Sequence, residues 1–366
     1  MDGSARPRWS VSGHPPPVRH SRVSGSPSAT SASCRSRDSL PVLIVGVDVG
    51  GTTIAAGALS ADGEVVVDAS APTPGAGTGG ALATIVALIG KVIDQSRHRG
   101  RPIDAIGVGV PGPVDAALGR IGEPVSHVPE LAGHALAAEL TTRFGLFACV
   151  DNDVNALALG EWMFGAGRGA RSLVVLAAGT GFGAGLVLDG RLVRGAVGFG
   201  GEFGHAPVKF DGPPCWCGGR GCLALYASGR GIADAARARV ASQAEAVLLR
   251  AAGGDPMAIT AALVFRAAAE GDSLATSVVD EACQALGAMI GTVVNGLNPD
   301  VVVITGGVAR SLALLEAKLL GAAGEYAFPR ALAATRVTIV PGEKRHGVRG
   351  AAALALYARN SNAKDS

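Results

Sequence analysis

The chain has 366 residues, of which 48% are hydrophobic and 17% are charged, a length and composition that suit two folded domains and exclude a disordered protein. Its net charge is only +2, and residues 1–40 hold six arginines against two aspartates, so the rest of the chain is slightly acidic. This balance leaves the folded part no basic excess for nucleic acid. The longest apolar runs, such as Leu173–Leu188, are broken by glycines, so we expect no membrane span.

Residues 1–40 are rich in Ser, Pro and Arg and show no apolar period, which predicts a disordered basic extension outside the fold. An organelle transit peptide, a basic tail and an over-long start assignment share this composition. The segment lacks the apolar stretch of a secretory signal.

From Pro41 onward, strand and helix patterns predict an α/β protein. In the first half the predicted elements are Val42–Val49, Ile54–Leu59, Ala81–His98, Ile103–Val110, Leu136–Phe144 and Leu146–Val150. In the second half they are Leu173–Ala178, Ala184–Leu188, Ile259–Glu270, Leu274–Leu297, Val301–Ile304 and a last helix that begins near Gly350. Each half opens with two strands around a glycine-rich bend, which indicates a duplicated fold. We therefore expect an N-terminal domain at residues 41–151, completed by helix 350–358, and a C-terminal domain at residues 152–349.

The two bends read Asp48-Val-Gly-Gly-Thr-Thr53 and Gly179-Thr-Gly-Phe-Gly183. Backbone N–H groups and Thr hydroxyls that converge from two domains suit a polyphosphate, although each bend alone also fits an ordinary tight turn. The candidate phosphate-binding residues are Gly50, Gly51, Thr52, Thr53, Gly179, Thr180 and Gly181.

Other nucleotide motifs are absent or weak. The sequence has no GxxxxGK[ST], which excludes a P-loop enzyme. A GxGxxG motif does occur at Gly107–Gly112, but Pro111 and Pro113 disfavour the helix N-terminus that a dinucleotide site requires.

Acidic residues stand at two predicted strand ends. Asp48 ends a buried strand beside the first bend, where a carboxylate is costly unless a cation meets it, so we expect Mg²⁺ carrying phosphates there. Asp151-Asn152-Asp153 lies between a strand and a helix, where Asp and Asn are common N-caps. Two acids and an amide together also fit hydroxyl recognition and proton acceptance.

One histidine and three cysteines form the strongest chemical signal. His205 is followed by Cys215, Cys217 and Cys222 in a glycine-rich loop, and four such ligands complete a tetrahedral structural zinc site with no open position. Chance clustering of thiols is the alternative. Six cysteines in a chain of this length do not make a disulfide scaffold, so we expect a reducing, cytoplasmic location.

Taken in order, these motifs resemble the ROK sugar kinases of the actin/hexokinase-like, ribonuclease H-like superfold over residues 42–358. The resemblance implies ATP and Mg²⁺ as cofactors, the two bends as phosphate loops, and Asp153 as the general base. It also implies the substrate contacts Asn152, Glu202, His205, Gly112 and His127, the adenosine-side pair Gly306-Gly307, and zinc bound by His205 and the three cysteines. We also expect a homo-oligomer, a dimer.

Two positions depart from the family pattern. The family has Gly-Cys-Leu-Glu where this chain has Gly221-Cys-Leu-Ala224, and Asn-x-Pro-x-Trp where it has His127-Val-Pro-Glu-Leu131. Both changes remove polar partners at the anomeric end of a sugar, and such losses weaken binding of the hydroxyls concerned. The preferred acceptor is therefore a six-membered polyol without an ordinary anomeric centre, a C7-cyclitol of the valiolone type phosphorylated at its primary hydroxyl.

Other functions remain open from sequence. A glucokinase or an N-acetylhexosamine kinase that tolerates the two changes is the nearest alternative. A ROK transcriptional regulator is an alternative of another class, but it requires an N-terminal helix-turn-helix module that the Pro-rich residues 1–40 cannot form. A pseudokinase sensor is the last alternative.

Overall fold

Two five-stranded sheets organise the chain in a computed structural model, which describes residues 43–75, 80–123, 125, 127–241 and 247–362. The predicted extension at residues 1–40 lies outside the described residues. Both sheets belong to one compact unit, residues 40–366, and the predicted domain boundary after Asp151 stays a prediction.

The first sheet has the strand order β3-β2-β1-β4-β7, in which β1, β4 and β7 are parallel and β2 is antiparallel to both neighbours. Helices α1 and α2 bury apolar faces in the same cluster as the sheet, and β5 pairs with β6 as a small separate ladder. The elements are β1 (Leu43–Val49), β2 (Thr53–Leu59), β3 (Val65–Pro72), α1 (Gly80–His98), β4 (Ile103–Val110), β5 (Val114–Asp115), β6 (Arg120–Ile121), α2 (Leu136–Phe144) and β7 (Phe147–Asn152).

The second sheet repeats this plan with the order β10-β9-β8-β11-β12, in which β8, β11 and β12 are parallel and β9 is antiparallel to both neighbours. The α/β class and the duplication expected from the two bends are confirmed. The elements are α3 (Asp153–Phe164), β8 (Leu173–Ala178), β9 (Phe182–Leu188), β10 (Arg191–Leu192), α4 (Ala224–Ala227), α5 (Gly229–Val240), α6 (Val247–Ala251), α7 (Ala261–Ala269), α8 (Ser273–Leu297), β11 (Val301–Thr305), α9 (Ala309–Leu312), α10 (Glu316–Tyr326), α11 (Pro329–Ala334), β12 (Arg336–Ile339) and α12 (Lys344–Asn362).

Helix α8 is long and apolar enough to cross a membrane by length and composition alone. In the folded chain, however, 67% of its most apolar window is buried, and residues such as Leu286 and Ile290 pack in the second hydrophobic cluster. Its apolar character is therefore that of a core helix.

Helix α12 packs against the first sheet and α3, and at glycine positions its backbone comes directly against theirs. At Gly46 of β1, a Cβ atom would lie 2.1 Å from the carbonyl oxygen of Val348, and at Gly107 of β4 it would lie 1.9 Å from that of Ala351. Only glycine allows such an approach. The prediction that α12 begins near Gly350 is wrong, because the helix begins six residues earlier, at Lys344.

This packing predicts a large stability loss for Gly107→Ala. The new methyl group would overlap the backbone of α12, which cannot rotate away, so the free energy of unfolding should fall by about 3 kcal/mol. Urea unfolding measures this change in the free energy of unfolding. Gly90→Ala in α1 is the matched control, because its methyl meets nothing within 4 Å and should stabilise the helix by about 0.5–1 kcal/mol. Equal effects from the two variants would contradict the close packing.

Candidate active site

The first bend is fixed by hydrogen bonds within itself and from the end of β3. Gly50 donates its N–H to the carbonyl oxygen of Thr53 at 3.1 Å, and Thr73 donates its hydroxyl to the carbonyl oxygen of Gly50 at 2.7 Å. The N–H of Thr73 reaches the carbonyl oxygen of Thr52 at 3.1 Å. Gly51 and Thr52 remain exposed at the tip, where they can meet a phosphate group.

The second bend is tied to the start of α5. Gly229 donates its N–H to the carbonyl oxygen of Gly179 at 2.8 Å, and Arg230 donates its N–H to that of Thr180 at 3.1 Å. The bend is shorter than predicted, since β9 already begins at Phe182. Thr180 and Gly181 lie exposed at its tip.

The predicted glycine pair lies beside this second bend. Gly306 has a φ of +99°, and a Cβ atom there would lie 2.4 Å from the carbonyl oxygen of Ala178, the residue before the bend. The N–H of Val308 donates to the same oxygen at 3.0 Å. Gly307 is exposed with open space around it, so a flat group could lie against it.

Asp48 is the next-to-last residue of β1 and lies directly in front of α12. A Cβ atom on Gly347 would lie 2.1 Å from the Oδ2 atom of Asp48, so the helix backbone closes one side of the carboxyl group. Burial raises the pKa of Asp48 to about 6. A bound divalent cation would relieve that cost, and a carboxylate is a ligand that Mg²⁺ accepts.

Asp153 opens α3 close to Asp48. Burial raises the pKa of Asp153 to about 7, and the negative charges of Asp48 and, less strongly, Glu202 act in the same direction. Its Oδ1 atom accepts a hydrogen bond from the N–H of Val154 at 2.9 Å. Three carboxylates therefore share one electrostatic environment, an arrangement typical of a site that holds a cation and moves a proton.

The neighbouring acid, Asp151, has a structural role. Its Oδ1 atom accepts hydrogen bonds from the backbone N–H of Asn152 at 2.8 Å and from the side chain of Asn155 at 2.9 Å. Its Oδ2 atom forms an ion pair with the Nε of Arg194 at 2.6 Å. The sequence did not reveal this partner, because a residue 43 positions away leaves no local signal.

Asn152 is the N-cap of α3, the simpler of the two interpretations of this segment. Its Oδ1 atom accepts from the N–H groups of Val154 at 2.9 Å and Asn155 at 3.2 Å, and its Nδ2 donates to the carbonyl oxygen of Gly112 at 3.0 Å. One N–H of the amide is left for another partner. The substrate contacts predicted for Asn152 and Gly112 stay predictions, and for Asn152 this remaining N–H is the group that could make one.

His127 lies against the first bend. It has a φ of +69°. Its ring lies so close to Gly51 that a Cβ atom placed on Gly51 would be 2.9 Å from the Cγ atom of the imidazole. The side chain is exposed. The position predicted to contact the acceptor therefore also borders a phosphate loop.

Ala224 begins α4 and is fully buried in the second hydrophobic cluster. A carboxylate at this position would need a polar partner inside the protein. Glu202 is exposed and precedes the short 3-10 helix Phe203–His205. The acidic group of this loop is therefore Glu202, while position 224 offers only a methyl group.

His205, Cys215, Cys217 and Cys222 bring their ligand atoms within 4.8 Å of one another. The Sγ atoms of Cys217 and Cys222 are 3.7 Å apart, close to the roughly 3.8 Å between two sulfurs on a tetrahedral zinc with Zn–S bonds of about 2.3 Å. The Nδ1 atom of His205 lies 3.6 Å from the Sγ of Cys215. The donor set therefore fits zinc, with the Nε2 atom of His205 left for a different partner.

The backbone of the loop that carries Cys217 favours the thiolate form of its side chain, the form that binds metal. The N–H of Gly219 points at its Sγ atom at 3.4 Å, and this hydrogen bond lowers the pKa of the thiol.

Comparison with known proteins identifies the family of this fold. The model of the ROK family matches residues 44–358. A glucokinase of Thermotoga maritima is 33% identical over 312 residues, which span 85% of this chain and 96% of that protein. The structure of a ROK family glucokinase from Streptomyces griseus in complex with glucose and AMPPNP is 30% identical with a TM-score of 0.70, covering 86% of this chain and 99% of that one. A ROK family transcriptional regulator, a homologue of the E. coli MLC protein, is 27% identical with a TM-score of 0.76, covering 87% and 79%.

The cysteine cluster predicts about one zinc per purified chain. Cys217→Ser should lose the metal and lower the melting temperature, because four ligands are needed to close the site and metal binding stabilises the loop. Metal analysis and thermal unfolding measure both effects. Cys149→Ala, which changes a cysteine outside the cluster, should retain the zinc. Wild-type protein without zinc would contradict the assignment.

Proposed function

The chain belongs to the ROK family as an ATP-dependent carbohydrate kinase, and we propose that it phosphorylates the primary hydroxyl of a six-membered polyol. The observation that carries this proposal is the acid group at the start of α3. Asp151 is fully engaged by Arg194 and Asn155, whereas Asp153 has no ion-pair partner among the described residues. A carboxylate with a pKa of about 7 is suited to accept a proton near neutral pH.

In the proposed reaction, Asp153 accepts the proton of the acceptor hydroxyl while that oxygen attacks the γ-phosphorus of ATP and ADP leaves. Exposed N–H groups at the two bends stabilise the charge on the phosphate oxygens. Asp48 would hold the Mg²⁺ that neutralises part of this charge. Most of the catalytic effect then comes from positioning the two substrates.

Asp153→Asn preserves the shape of the side chain but removes the proton acceptor, so kcat should fall by roughly 10²–10⁴-fold with little change in acceptor affinity. Steady-state kinetics measure kcat and the KM for the acceptor. Asp115→Asn is the matched control: its exposed carboxylate accepts hydrogen bonds from the backbone N–H groups of Ala117 and Leu118, which asparagine can also accept. Loss of turnover in the Asp115 variant instead would move the base to that residue.

Stability provides a separate check that the Asp153→Asn protein is folded. Asp153 has an ordinary pKa of 3.8 when unfolded and about 7 when folded, so the folded chain binds the proton more tightly and stability falls as pH rises between these values. Asparagine carries no such cost. The variant should therefore be more stable than wild type at pH 8, with the difference vanishing at about pH 4; equal stability at pH 8 would contradict the raised pKa.

For the acceptor itself we propose a C7-cyclitol of the valiolone type. Support comes from Ala224, whose buried methyl group stands where the family has a carboxylate, and from His127, which replaces an amide. A ring without an ordinary anomeric centre has no need of those two polar partners. Glucokinase activity is the second candidate, favoured by the glucokinase relatives, and N-acetylhexosamine kinase activity is a variant of it.

A regulator is the candidate from another class, favoured by the likeness to the transcriptional regulator of the family. A regulator that only binds a sugar has no use for Asp153 as a base. ATP-dependent phosphorylation of any acceptor that is lost in Asp153→Asn would therefore exclude both this reading and a pseudokinase sensor.

A panel of acceptors tests the specificity. With ATP saturating, kcat/KM for the cyclitol should exceed that for glucose and for N-acetylglucosamine by more than about tenfold, since one lost polar contact is worth about 1–3 kcal/mol. Coupled assays of ADP release measure all three. Efficient glucose phosphorylation without cyclitol turnover would reject the cyclitol and leave a glucokinase.

A further inference from the structure

The two phosphate bends contain no lysine or arginine. A nucleoside triphosphate carries several negative charges, and backbone N–H groups with one Mg²⁺ balance only part of them. Binding sites for such groups commonly add a guanidinium or ammonium group. A cationic side chain attached to one of the bends is therefore expected.

Arg230 is attached to the second bend through its own backbone. Its N–H donates to the carbonyl oxygen of Thr180 at 3.1 Å, next to the bond from Gly229 to Gly179. It lies in the first turn of α5, which Ser228 caps by accepting from the N–H of Gly231 at 3.0 Å. The backbone of Arg230 therefore cannot move independently of the phosphate loop.

The side chain of Arg230 is held over an aromatic ring. Its Cζ atom lies 5.1 Å from the ring centroid of Trp216, which stands between two cysteines of the zinc cluster. Trp216 in turn meets the ring of His205 edge-on at 5.7 Å. A cation over the face of an indole is attracted by the ring and restricted in orientation.

The present anionic partner of Arg230 is weak. Its Nε lies 3.5 Å from the Oδ2 atom of Asp234, and both side chains are at least half exposed, at 62% and 50%. Exposed pairs of this kind contribute little to stability. The planar donors of the guanidinium can therefore be transferred to a more strongly charged acceptor.

We propose that Arg230 binds a phosphate group of the nucleotide at the second bend and that Trp216 is the residue that positions it. The proposal rests on the kinase function argued above. Binding would exchange the exposed bond to Asp234 for charge-assisted bonds to phosphate oxygens, while the ring of Trp216 stays in place. The zinc cluster thereby serves the nucleotide site as well as the acceptor site.

Two other arginines compete for this role. Arg310 stands in α9 just after Gly306-Gly307, and Arg345 at the start of α12 pairs with Asp68 at 3.7 Å. No hydrogen bond joins either of them to a phosphate bend within the described part of the chain. They serve as comparison variants.

The first experiment varies ATP at saturating acceptor. Arg230→Ala should raise the KM for ATP about tenfold with kcat changed less than about threefold. Arg230→Lys should have a smaller effect on the KM, because lysine keeps the positive charge but lacks the planar pair of N–H donors of the guanidinium. Inhibition by adenosine, which has no phosphate, should be unchanged. An unchanged KM for ATP, an equal weakening of adenosine, or a tenfold rise in Arg310→Ala or Arg345→Ala in place of Arg230→Ala would overturn the proposal.

Two further variants test the positioning. Trp216→Leu should raise the KM for ATP a few-fold, while Asp234→Asn should lower it, because it removes the competing carboxylate. A general loss of structure would not change the KM for ATP in opposite directions in these two variants. A rise in the KM for ATP in both variants would overturn the proposal.

Calorimetric titration with ADP separates this proposal from the proposed function. Inactive wild type on the whole acceptor panel would reject the kinase function, but the ADP affinity of Arg230→Ala against wild type still tests the arginine. A loss of about tenfold supports it, and equal affinity overturns it.

Discussion

The position of helix α12 depends on close backbone contact at glycine, and the site depends on the position of α12. Gly46 and Gly107 let the helix lie directly on β1 and β4, where any larger residue would overlap its carbonyl groups. Gly350 of α12 meets Gly160 of α3 in the same manner. Since α3 begins with Asp153 and the first turns of α12 close over Asp48, these contacts bring the two acids into one environment. Helix packing thus sets the distance between a carboxylate on strand β1 and a carboxylate at the start of helix α3.

Asp151 and Asp153 are separated by one residue, and their different surroundings give them different roles. Arg194 balances the charge of Asp151, and two neutral N–H donors satisfy its Oδ1 atom. The Cζ atom of Arg194 also lies 6.0 Å from the ring centroid of Tyr357 in α12. Among the residues that the structure describes, Asp153 has no cationic partner of this kind, and burial, followed by the negative charges of Asp48 and Glu202, raises its pKa. The first acid stabilises the fold and the second carries a cost in stability. Such a cost is retained where a reaction uses the proton affinity that it creates.

Local chemistry explains which features could be predicted. The glycine bends, the strands that flank them and the four zinc ligands are each encoded within about twenty residues, so the repeat and the metal cluster could be read from sequence. The partner of Asp151 could not, because Arg194 reaches it through the tertiary fold. The contact of His127 with Gly51 depends on the path of a loop, and β3 (Val65–Pro72) mixes Asp, Ser and Ala with its valines, which hides the strand pattern. Ala224 was expected at the acceptor pocket, but its burial in a core is visible only in three dimensions.

The loop that carries the cysteine cluster contacts two residues that we propose to bind different substrates, His205 for the acceptor and Arg230 for the nucleotide. The Nδ1 atom of His205 lies beside the cysteine cluster, so its Nε2 atom is left for a different partner. On the far side of Trp216, the guanidinium of Arg230 belongs to the helix that holds the second phosphate bend. A closed metal site cannot act on the reacting atoms, since its four ligands leave no open position. With zinc bound, its contribution would be mechanical: it would hold the imidazole of His205 and the indole of Trp216 relative to each other, and would so connect the proposed acceptor contact to the proposed nucleotide contact.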